Sequence, residues 1–150
     1  MGTGSSFGNI SPAAKFIILG FAAIVVVFTA VLLFLSAKPP VCTVSGGTLK
    51  ISGIYGETVK LSDITGIQLK DSPPANLSKV NGSDFGSRLK GRFSSSSGDV
   101  TLFIDTSKPN FIWLDTSKGL IVLNDQTKTG TQALYDKLTQ KTGLTGQTAA

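Results

Sequence analysis

The sequence predicts a mainly β domain of about seven antiparallel strands, closed by a C-terminal helix and preceded by one transmembrane helix. Three observations carry this. Residues 16–35 hold no charge. From Thr48 onward apolar residues alternate with polar ones, the period of strands with one buried face. Near the end the period lengthens, and Leu134, Tyr135 and Leu138 fall on one side of a helical wheel.

The apolar run comes first. At a rise of about 1.5 Å per residue, roughly 20 helical residues cross a hydrocarbon core of about 30 Å. Lys15 and Lys38 flank the run and reach the two interfaces, and Pro39-Pro40 stops the helix. The run exceeds the core of a cleaved leader, and Leu35-Ser36-Ala37 is a poor small-x-small cleavage site. The expected division is a polar tail (1–15), a transmembrane helix (16–37), a linker (38–47), a β-domain (48–142) and a disordered tail (143–150). This places the chain in the plasma membrane as a single-pass protein, with the lipid bilayer as its first partner. Lys15 on one side and Lys38 and Lys50 on the other give the positive-inside rule little to act on. The Ser/Thr/Gly-rich surface of the domain favours an extracytoplasmic position. Met1-Gly2 with Ser6 fits a short myristoylation pattern that an anchored chain does not need.

Strands are read at Leu49–Ile51, Val59–Leu61, Ile67–Leu69 and Val100–Ile104, with Phe111–Leu114 and Leu120–Leu123 apolar on both faces. Turn signals separate them at Tyr55-Gly56, Asp71–Pro74, Asn81-Gly82, Ser95–Gly98, Lys108–Asn110 and Lys118-Gly119. The short spacing predicts antiparallel hairpins, with residues 100–104, 111–114 and 120–123 as an up-down-up meander. Thr127 or Thr129 caps the final helix, Lys137 and Lys141 suit its C-terminal end, and Gly143 terminates it.

An antiparallel barrel with a helix over its open end is the pleckstrin-homology-like layout, and here the residues also resemble a family. Residues 48–140 are similar to the bacterial pleckstrin-homology-like domains that follow one N-terminal membrane helix. The resemblance rests on Leu49-Lys50-Ile51-Ser52-Gly53-Ile54-Tyr55-Gly56, Leu61-Ser62-Asp63-Ile64, Asn81-Gly82 and Leu89-Lys90-Gly91-Arg92-Phe93. It continues through Phe111-Ile112-Trp113-Leu114 and Leu123-Asn124 to the helix around Leu134-Tyr135. It implies a PH-like antiparallel barrel, a membrane-associated role and no catalytic residues.

The chain carries a net charge of +5, one cysteine and no histidine. The positive residues are scattered, with no zinc-finger spacing or aromatic-rich RNA-binding strand, so no nucleic-acid partner is expected. Without histidine there is no Ser/His triad, and Cys42 has neither a His partner nor a second thiol. Gly46-Gly47 and Gly53 lack a strand–loop–helix context for phosphate. The aspartates sit mostly at strand ends and turns, where they bond the local backbone. Asp105-Thr106-Ser107-Lys108 recurs as Asp115-Thr116-Ser117-Lys118, but a meander puts consecutive turns at opposite ends of the sheet. No catalytic residue, metal site or cofactor is expected, and the chain is read as a non-enzyme. Asn76-Leu77-Ser78 and Asn81-Gly82-Ser83 match the glycosylation pattern, which matters only in a eukaryotic secretory pathway.

The sharpest candidate is Arg88, Lys90 and Arg92, which alternate with Leu89, Gly91 and Phe93 and so share one strand face. Lys79 is placed nearby in the preceding loop. The expected function is a membrane-anchored binding module for a protein or peptide, acting through a sheet edge, a loop end or this basic stripe. The alternative is an anionic-lipid reader using the stripe, at about 1 kcal/mol per basic residue. The plain reading is a solvated face that discourages edge pairing.

Overall fold

The structure is a computed structural model that describes residues 11–148. The chain divides into two compact units, Met1–Leu35 and Ser36–Ala150. Helix α1 (Pro12–Ala37) begins earlier than the charge-free run, because Ser11 Oγ accepts from Ala14 N at 3.3 Å and Pro12 suits the first helical position. Its 24 residues Pro12–Leu35 are long and apolar enough to cross a membrane, and their large side chains are exposed along the whole length. The myristoylation pattern lies outside the described residues.

The second unit is mainly β. It carries β1 (Cys42–Ser45), β2 (Thr48–Ile51), β3 (Thr58–Lys60), a 3₁₀ turn (Leu61–Asp63), β4 (Ile64–Lys70), β5 (Ser78–Phe85), β6 (Arg88–Ser95), β7 (Gly98–Asp105), β8 (Phe111–Thr116), β9 (Gly119–Leu123), α2 (Lys128–Thr142) and β10 (Gln147–Thr148). There are thus ten strands among the described residues, where about seven were expected. Strand β1 falls in the expected linker, and β10 falls in the expected disordered tail, where it pairs with β4. Asn81-Gly82, expected as a turn, lies inside β5. Gly82 faces Gly91 across the β5–β6 pair, and a Cβ on Gly91 would stand 2.7 Å from the Gly82 Cα. These glycines allow two backbones to approach, a use of Gly that resembles a turn signal in sequence.

Strands β1, β2 and β3 form one antiparallel sheet. The second sheet runs β10, β4, β8, β9, β7, β6, β5. The expected meander is corrected here. Strand β9 inserts between β8 and β7 and runs parallel to β7, so the sheet is not wholly antiparallel. The two Asp-Thr-Ser-Lys turns still lie at opposite ends, because β8 runs antiparallel to β9.

Each face of the large sheet carries a core. On one face Phe103, Ile112, Leu114 and Leu123 pack against Leu49 and Val59 of the small sheet and Tyr135 and Leu138 of α2. On the other, Phe93, Val100, Leu102, Ile104 and Val122 form a second cluster. The β4–β5 connection serves that second face. Strands β4 and β5 stand five places apart in the sheet, about 24 Å if it were flat, and the connecting chain reaches at most about 28 Å. It lays Leu77 against the second cluster, and its Ser72 carbonyl accepts from Trp113 Nε1 at 3.3 Å. Helix α2 starts at Thr127, whose Oγ1 accepts from Gly130 N at 3.0 Å, and ends at Gly143 in the left-handed conformation. Thr131, unremarked in sequence, is fully buried and its hydroxyl bridges Asp125 N and Thr127 O.

Candidate functional site

Cross-strand partners share a face. In the β6–β7 register Arg88, Lys90 and Arg92 face Asp105, Phe103 and Thr101, so all three cations lie on the Phe103 face. The three share a face, but only Arg88 and Lys90 are drawn inward, while Arg92 stays exposed. Lys79 pairs with Phe93 and therefore projects from the opposite face, so it does not join the stripe.

The stripe divides in two. Arg88 donates to the Ala37 carbonyl and lies 3.4 Å from Asp105 Oδ2. Lys90 donates to the Lys38 carbonyl and is only 4% exposed. Ala37 and Lys38 belong to the compact unit that begins at Ser36. They lie where α1 ends, and the last carbonyls of a helix lack intrahelical donors. No basic residue occupies the last turn of α1. Burial lowers the Lys90 pKa, with Arg88 adding to the effect. Burial would raise the Asp105 carboxyl, but hydrogen bonds from Ser107 and Ser87, and the Arg88 charge, bring it down to about 2. Asn124 completes this end, accepting from Asp105 N at 2.9 Å and donating to the Asp105 and Lys108 carbonyls.

Arg92 is different. Its side chain is 67% exposed, and its one ion pair among the described residues, to Asp99, spans 3.7 Å. It lines a groove of about 410 Å3 with Glu57, Thr58 and Val59 at one wall and Asp99, Thr101, Lys118 and Ile121 at the other. That volume lies in the range of about 300–1,000 Å3 usual for ligand sites. Glu57 is exposed as a residue, yet local burial raises its carboxyl against the lowering pull of Lys118.

The groove wall at β3 is a free sheet edge. Ile51 N bonds Glu57 O at 2.8 Å and Leu61 N bonds Gly47 O at 2.9 Å. With Leu49 opposite Val59, these set the alternation of hydrogen-bonded pairs. Thr58 and Lys60 fall between them, so their N–H and C=O groups point away from β2. Sequence reasoning missed this site. Thr58-Val59-Lys60 does alternate, but nothing in the sequence shows which strand ends a sheet.

Cys42 is half-buried against the first core, and burial, followed by Asp125, pushes its thiol up to about 12. Comparison with protein-family models, curated proteins and solved structures finds no match for this chain.

Proposed function

We propose that the folded unit is a non-catalytic binding module, held at a membrane surface by α1, which takes an extended segment of a protein or peptide along the free edge of β3. The observation that carries this reading is the groove bounded by that edge. A strand laid beside Thr58 and Lys60 forms up to three backbone hydrogen bonds, each worth about 0.5–1.5 kcal/mol net, because the Lys60 carbonyl already accepts within the 3₁₀ turn it caps. Its side chains then meet Arg92, Lys118, Asp63 and the apolar Ile121, all of which line the groove. Backbone bonding supplies the attraction and these side chains supply the choice. So short an edge gives modest affinity, and confinement to one membrane compensates by raising effective concentration.

The pleckstrin-homology-like reading of the fold belongs to the same proposal. It is supported by the largely antiparallel sheet and by α2 packed against one face. The parallel β7–β9 pair is a departure from an all-antiparallel barrel. The lipid-reader alternative draws less support, since Arg88 and Lys90 already donate to the chain's own carbonyls.

Lys60 offers a selective test. Its φ of −71° matches proline, so Lys60→Pro removes the outward N–H without straining the backbone. Displayed peptide libraries are selected on the full chain in nanodiscs. The expected result is a set of extended sequences whose binding weakens at least tenfold in Lys60→Pro. Peptides that bind both forms equally, or no selection at all, would overturn the reading.

A further inference from the structure

The segment joining α1 to β1 looks like a linker in sequence, yet it is fastened. Arg88 and Lys90 hold the Ala37 and Lys38 carbonyls. Pro39 and Pro40 sit in a shallow slot beside Ile104, Asp105 and Asn124. Val41 then exchanges hydrogen bonds with Ser52, donating to its Oγ at 3.1 Å and accepting from its N at 3.0 Å.

The character of this hold matters. Val41 is 60% exposed and the prolines are only half-buried, so the segment adds little to either core. It is kept in place by a few polar contacts, whereas Leu102 and Val122 are wholly buried inside paired strands. Regions with few apolar contacts open at lower free energy than the core they rest on. Arg88 also keeps a second partner in Asp105, so letting go of Ala37 does not strand its charge.

We infer that residues 37–41 are a releasable strap, clasped by Arg88 and Lys90, which sets the length of free chain between α1 and β1. Closed, the strap is part of the folded unit. Released, the four residues 38–41 between α1 and β1 supply up to about 14 Å of extended chain. For a module tethered at a membrane, that length determines how far the β3 groove reaches. The strap itself does not depend on what the groove binds.

Amide hydrogen exchange on the full chain in nanodiscs tests the strap without any ligand. In the native chain, Val41 should exchange faster than Leu102 and Val122 but more slowly than an unprotected amide. In the Arg88→Gln/Lys90→Met variant, Val41 should speed up at least tenfold, and in both chains low urea should leave the Val41 rate nearly flat while Leu102 and Val122 speed up. An unchanged Val41 rate in the variant would overturn the clasp. So would a Val41 rate that climbs with urea as steeply as those of Leu102 and Val122, since the segment would then open only with the whole sheet. Either failure leaves the groove untouched, and loss of peptide binding in Lys60→Pro leaves the strap untouched.

Discussion

Arg88 and Arg92 are the same residue type on the same face of the same strand, and their surroundings give them opposite roles. Arg88 faces Asp105 and the Ala37 carbonyl, acceptors that are already in place. Arg92 faces Thr101 at the rim of a groove, with one long ion pair to an exposed aspartate. The first end of β6 is held within the fold, and the second stays exposed at the groove. Strand alternation decides which face a side chain takes, but the elements packed over that face decide what it meets. A stripe of like charges is therefore not one site merely because it shares a face.

Substitutions along β6 sharpen that contrast. The largest effect is expected at Gly91, between the two halves. Its φ is +105° and an added Cβ would stand 2.5 Å from the Asn81 carbonyl oxygen. Gly91→Ala should cost about 2–3 kcal/mol and loosen β5, read by urea unfolding of the solubilised chain through its single tryptophan, Trp113. A neutral result would mean the β5–β6 approach is not as close as described.

Arg88→Ala comes next. It leaves Asp105 and the Ala37 carbonyl without their cation, and should cost about 1.5–3 kcal/mol. The same unfolding experiment on Arg92→Ala should show a change within about 0.5 kcal/mol, as for other exposed pairs. Equal costs at the two positions would erase the contrast between the ends.

Acid probes the Arg88 end through Asp105. Asp105 holds its carboxyl at about 2 when folded, below its ordinary 3.8. The depressed value contributes stability that is fully present above the unfolded value and is lost as pH falls through the folded one. Stability should therefore decline between about pH 4 and pH 2, and Asp105→Asn should flatten that part of the profile. An identical slope in the variant would assign the acid sensitivity elsewhere.

Much of the fold was legible because it rests on local patterns. The apolar run, the alternating strands, the Thr127 cap and the Gly143 stop all act within a few residues. What escaped depends on distant partners. Strand β9 slots between β7 and β8, and no local signal sets that order. Strand β1 lies just beyond a Pro-Pro pair, where the composition reads as a linker. Asn81-Gly82 carries turn chemistry but serves a close approach between strands. The candidate site shows the same division. The shared face of Arg88, Lys90 and Arg92 follows from alternation alone, while the strap over two of them and the groove beside the third come from tertiary packing. Cys42 illustrates it too, since a thiol that looks available just beyond the helix is half-buried with its pKa near 12. Maleimide should label it slowly in the native chain and rapidly after denaturation.

The central claim is that β3 accepts an added strand. A photo-crosslinking residue placed at Thr58, in the full chain and in the membranes of the cells that make it, tests this most directly. The account predicts a recurring adduct that maps to one extended segment of a partner and disappears when Lys60→Pro is added. An adduct that persists in Lys60→Pro, or crosslinking at Thr58 no stronger than at an exposed position such as Asn76, would contradict it.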